Sequence, residues 1–176
     1  VDDCRSVSEE PLLPVYDTHA HPNRPVDLPQ RNLTIQEAYR EAGIAMTIRP
    51  ECTIIDDSDP AFESWSEAEL HDAMEQHFSQ VRSGWPKWQL WCILAGAFDD
   101  PAVGGIMFDY QGAEQRKGCA IFRKHQWFDD LACGEPANAT QAAAMRKFLY
   151  TYVHEIGHAF NYLHSWDKGR PDALSW

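Results

Sequence analysis

Apolar positions along this chain fall into periodic runs separated by turn-forming residues. Residues 1–33 carry Pro11, Pro14, Pro22, Pro25 and Pro29. Each proline fixes φ and removes an N–H, which predicts a mostly extended segment with one short strand over 15–19. Thr34-Ile-Gln-Glu37 is a capping box, and the helix it opens is predicted to end near Gly43. Residues 44–49 alternate and are rich in β-formers, which predicts a strand; 56–60 read as an acidic turn. A second capping box, Ser66-Glu-Ala-Glu69, is followed by Leu70, Met74, His77, Phe78 and Val81, the spacing of one apolar helix face. Residues 87–98 form a long β-like run, 99–105 a loop, 106–110 a short strand and 118–124 another. From Asn138 to about Phe160 the pattern is helical again. This order predicts an α/β (α+β) fold, a mixed sheet covered by helices. It divides into an extended Pro-rich segment, 1–33, and one domain over 34–176.

Composition narrows the picture. The 176 residues suffice for a core without disulfide staples, and 44% hydrophobic content with seven Trp excludes a disordered chain. Lys plus Arg number 15 against 27 Asp plus Glu, a net charge of −12. Such a chain lacks the cationic face that nucleic acids or anionic membrane surfaces require. The longest apolar run, 90–98, is far short of the ~20 residues that span a bilayer. Five cysteines without a CxxC give no zinc ribbon or thioredoxin-like site, and Cys92 and Cys119 read as small buried hydrophobes. The sequons at Asn32 and Asn138 stand where helix caps are wanted and read as caps.

The chemistry concentrates in His154-Glu155-Ile-Gly-His158-Ala-Phe-Asn161-Tyr-Leu-His164. On a helix, His154 and His158 point the same way one turn apart, so both imidazoles can hold one ion. Glu155, rotated by ~100°, reaches a water on that ion rather than the ion itself. This is the HExxH arrangement of two zinc ligands and a general base. Its largely apolar surroundings, among them Phe148, Leu149, Tyr152 and Ile156, make two His and a Glu costly to bury without a metal. A catalytic zinc usually takes a third protein ligand. No Glu follows Glu155, which removes the thermolysin-like solution; Asp167, Asp172 and His164 remain, and His164 is the best placed. To bring His164 round, the helix must stop near position 161 in a residue that tolerates left-handed geometry, and Asn161 stands there.

HExxHxxNxxH resembles the HExxHxxGxxH motif of the metzincin clan of zinc endopeptidases, and the upstream order of elements is similar to that clan's N-terminal subdomain. The resemblance implies a zincin-like twisted sheet backed by helices, with a long active-site helix. It implies Zn2+ on His154, His158 and His164, and Glu155 as general base and acid toward a zinc-activated water. The substrate would be a peptide or protein laid along an edge strand, whose counterpart by position is Ile106, Met107 and Phe108. It favours a secreted or extracellular setting, although no signal peptide is read at Val1-Asp2-Asp3-Cys4. Two departures stand out. Asn161 replaces the usual Gly, and Met46, Met74, Met107 and Met145 all precede His154, whereas metzincins carry a Met-containing turn after the third His. With twelve residues after His164, the C-terminal subdomain is expected to be largely missing, and the chain to be part of a longer parent that supplies the Met.

Competing readings are a zinc-binding interaction module that does not cleave, and a different metal hydrolase. The latter would use Asp17-Thr-His19-Ala-His21, which resembles the HxH of amidohydrolase barrels, although those need ~250 residues. Asp56-Asp57-Ser-Asp59 offers carboxylates to calcium without an EF-hand pattern and reads as a solvated turn. Cys4 could place a thiolate in an open zinc position.

Overall fold

Asn138 opens the helix that organises the molecule. In the computed structural model, which describes residues 2–7, 13–21, 23–49, 52–78, 89–110, 116–132, 134–162, 164 and 169, its side chain accepts from the Gln141 N–H at 3.0 Å and caps helix Ala139–Ala159. The two earlier helices are Ile35–Glu41 and Glu67–His77; in chain order the three are α1, α2 and α3. Thr34 caps α1, but Glu37 pairs with Arg40 instead of closing the box. At α2 both halves form: the Ser66 N–H donates to Glu69 at 2.8 Å, and the Glu69 N–H to Ser66 Oγ at 3.3 Å. A Ser or Thr cap contributes about 1 kcal/mol.

The described residues form seven strands, in chain order β1 Asp2–Cys4, β2 Tyr16–Asp17, β3 Asn32–Leu33, β4 Ile54–Ile55, β5 Trp91–Ala95, β6 Gly105–Ile106 and β7 Gly118–Phe122. Five make one sheet in the order β4-β1-β5-β7-β6; β2 and β3 pair separately. The first four are parallel, and β6 joins the edge antiparallel, Gly105 opposite Ile121. The fold is therefore mixed α/β, as the pattern predicts. β5 and β7 are buried along their whole length, as befits central parallel strands covered on both faces. No described helix is long and apolar enough to cross a membrane.

Two glycines show where the helices lie. A Cβ on Gly105 would stand 2.6 Å from Thr151 Cγ2 and 2.9 Å from Glu155 Cγ, so α3 presses on this strand. A Cβ on Gly118 would run into Phe108 and into Met74 of α2. Gly118 and Ile121, the partner of Gly105, are three apart on β7 and face opposite ways, which puts α2 and α3 on opposite faces of the sheet. α1 lies with α3, where the Tyr39 hydroxyl donates to the Val153 carbonyl at 2.7 Å. Gly105→Ala is expected to cost about 1–3 kcal/mol, the usual range for overpacking. Urea denaturation checks it; a variant as stable as the parent would show that β6 yields freely.

Several elements differ from their sequence expectation. β1 falls inside the Pro-rich lead and is an inner strand, held by main-chain pairing to β4 and β5. The predicted strand at 15–19 shortens to β2, because Asp17 accepts from the His19 N–H at 2.8 Å and starts a 3-10 turn. Residues 44–49 are irregular: Ile44 and Met46 lean on the core, but no strand among the described residues pairs with them. The strand at 106–110 ends at Ile106, since Phe108 turns into the core against Trp91 and Asp109 receives the Lys117 N–H at 2.8 Å. Val81, Lys87, Cys133, Trp166, Asp167, Asp172, Leu174 and Trp176 lie outside the described residues.

Candidate metal centre

His154 and His158 stand one turn apart on α3, both half-buried. The helix closes with the Phe160 N–H on the Gly157 carbonyl and the Asn161 N–H on the His158 carbonyl, each at 2.9 Å. Asn161 then takes φ +67°, the left-handed geometry its position requires, and the Tyr162 N–H returns to the Gly157 carbonyl at 3.1 Å. This reversal brings His164 over the helix. Its Nε2 lies 3.0 Å from that of His154 and 3.1 Å from that of His158, and the latter two are 3.0 Å apart.

Three ring nitrogens so close offer one metal ion a place between them. If all three pointed an N–H inward the hydrogens would clash, and three lone pairs facing one another would repel. The centre of such a triangle lies about 1.8 Å from each nitrogen, close to a Zn–N bond of ~2.0–2.1 Å, so the three residues would fit one ion of that size. The tautomer agrees at His158, whose Nδ1 is 2.6 Å from the Tyr162 carbonyl. A carbonyl only accepts, so Nδ1 carries the proton and Nε2 presents its lone pair. Asn161 thus serves two ligands at once. Asn161→Gly should keep metal affinity, whereas Asn161→Val, β-branched at positive φ, should lose roughly 10-fold, the equivalent of the ~1–2 kcal/mol left-handed penalty. Competition against a chromophoric chelator measures this; equal affinity in the Val variant would remove the turn from the argument.

Arg116, itself at φ +71°, donates from Nη1 to the His158 carbonyl at 2.8 Å. It places a cation at the negative end of α3. Nothing in its local sequence marks it. Tyr150, also missed, has its hydroxyl 3.4 Å from His154 Nδ1; its place four residues before His154 was the available signal.

Glu155 points elsewhere. It is 7% exposed, packed under Gly105, and accepts a hydrogen bond from the Met107 backbone N–H. Burial pushes its pKa up to about 8, with the Met107 bond pulling the other way. A carboxyl so poised changes protonation near neutral pH, the range a general base needs.

Of the positions assigned to the substrate strand, Ile106 is in β6 and half-buried, and Met107 follows with its backbone on Glu155. Phe108 is 4% exposed, its ring 6.3 Å from Trp91; its side chain belongs to the core and not to a surface cleft. The histidines of the HxH segment serve their own loop: His19 Nε2 is 2.7 Å from the Leu28 carbonyl, and His21 Nδ1 accepts from the Asn23 N–H at 3.1 Å. Asp57 is buried and holds Ser6 through the N–H at 2.9 Å and the hydroxyl at 2.5 Å, while Asp56 pairs with Arg5 at 3.4 Å. Cys4 is fully buried in β1, and Cys92 and Cys119 are buried thiols facing each other in register on β5 and β7. Among the described residues, no other trio of His, Cys, Asp or Glu brings its ligand atoms within 4.8 Å. No family model matches the chain, and no curated protein or solved structure matches it.

Proposed function

We propose that this chain is a zinc-dependent endopeptidase of metzincin type. The observation that carries the reading is the three-histidine triangle, with a buried carboxyl at the next position after His154 that lies under an antiparallel edge strand. His154, His158 and His164 would hold the ion. When bound, zinc supplies Lewis acidity and brings water toward ionisation at neutral pH. Glu155 then accepts a proton on its carboxylate as water attacks the peptide carbonyl, and delivers it to the leaving amine nitrogen. Among the described residues β6 has a strand neighbour on one side only, and its outer edge suits an extended peptide added as a further strand. Such pairing reads main chain, which fits a peptide or protein substrate.

A second reading, a zinc-binding module that does not cleave, draws on the depth of Glu155. The test is hydrolysis of an unfolded protein by the zinc-loaded chain. Cleavage that a chelator stops and zinc restores supports the peptidase. Stoichiometric zinc without cleavage under any condition leaves the module.

A further inference from the structure

We propose that Tyr150 is a positioning residue for the metal centre. Its phenol oxygen is the acceptor that holds His154 in the tautomer whose Nε2 binds metal. The inference rests on reading the histidine triangle as a metal site.

The two helix-borne ligands are supported differently. A neutral imidazole has one proton; when Nε2 gives its lone pair to an ion, the proton sits on Nδ1 and needs an acceptor. His158 has a main-chain carbonyl 2.6 Å away, which fixes its tautomer whether or not metal is present. His154 has Tyr150 Oη at 3.4 Å. Tyr150 lies one turn earlier on the same face of α3, and its ring lies 5.5 Å from the imidazole at 30°. A phenol can donate or accept. Donating to Nδ1, it leaves the proton on Nε2, which then cannot bind metal. Accepting from Nδ1–H, it leaves Nε2 ready. The second arrangement needs somewhere for the phenol's own O–H to go, and at 47% exposure water takes it. His158 is therefore held by main chain, whereas at His154 a side-chain oxygen, that of Tyr150, stands at Nδ1 and accepts from it when Nε2 binds metal.

A buried hydrophobe needs no such account, but this aromatic is half in water, and its polar end is turned to a ligand's outer nitrogen. Removing the oxygen alone separates this role from ring packing. Tyr150→Phe keeps the ring; Tyr150→Gln discards the ring and offers an amide oxygen from the same position. Zinc dissociation constants would be measured by competition with a chromophoric chelator, alongside thermal melting of the metal-free proteins. Tyr150→Phe is expected to weaken zinc about 10-fold, the low end for losing an outer-shell partner, with metal-free melting unchanged. Tyr150→Gln is expected to regain most of that loss. Wild-type affinity in the Phe variant overturns the proposal, and so does equal weakening in Phe and Gln, which would make the ring the source. His154→Ala serves as control: if it keeps stoichiometric zinc, the metal-site reading falls, and this inference with it.

Discussion

Glu155→Gln is expected to fold, to bind zinc at full stoichiometry and to hydrolyse peptides at least ~10²-fold more slowly, the scale of losing a general base. The substitution keeps shape and removes the titrating oxygen. It spares the ligands, because Glu155 is packed under Gly105 with Met107 donating to it and is not one of the three residues whose ligand atoms cluster. Steady-state cleavage with zinc quantified in the same sample decides the matter; near-normal turnover would move the base to another residue. A second signature appears without metal. Glu155 has a folded pKa of about 8 against an ordinary 4.5. Below the ordinary value both states are protonated and the group is silent. Between the two values the unfolded chain releases a proton that the folded chain retains, so stability falls as pH rises, and levels off above the higher one. Metal-free Glu155→Gln escapes this loss. It should match the parent near the lower value and exceed it by a few kcal/mol near the upper. Parallel stability profiles for the two proteins would show that the carboxyl is better solvated than its 7% exposure implies.

His158→Ala should abolish stoichiometric zinc and all cleavage. Zinc at structural sites contributes ~10–16 kcal/mol across four ligands, so one histidine accounts for ~3–4 kcal/mol, or at least ~10² in affinity. His158 is the most committed of the three, since its outer nitrogen is held by the Tyr162 carbonyl and its own carbonyl by Arg116 and Asn161. Its loss also releases the reversal that carries His164. The wild type should gain thermal stability from added zinc, and the variant should not. A variant that still titrates one equivalent of zinc would displace the centre from this helix.

What the sequence made readable was local. Ser66 and Glu69 need only each other to cap α2, and they do. The need for left-handed geometry at Asn161 follows from one helix end and one spacing, so the turn was legible before any fold. The triangle followed from the same arithmetic. Long-range partners were not legible. Asp2–Cys4 has no strand propensity of its own and becomes β1 because β4 and β5 bracket it. Residues 44–49 show the reverse, an alternating pattern with no strand to pair with among the described residues. Phe108 looked like part of an exposed edge strand, but a core position beside Trp91 outcompetes extension of the sheet. Arg116 and the Met107 N–H reach the site across the sheet and from loops, where spacing along the chain carries no information.

The place of β1 has a consequence for biosynthesis. Its two neighbours in the sheet lie about 50 and 90 residues further along the chain, so β1 cannot be paired on both sides until those later residues have been made. β4 pairs only with β1 on its inner side, so it waits as well. The hydrophobic strands β5 and β7, which pair with each other across a shorter loop, are thereby expected to assemble first and to expose one long unpaired edge until the N-terminus slots in. A chain lacking residues 2–4 should accordingly keep that edge open and engage holding chaperones, from which the intact chain is released as the edge closes.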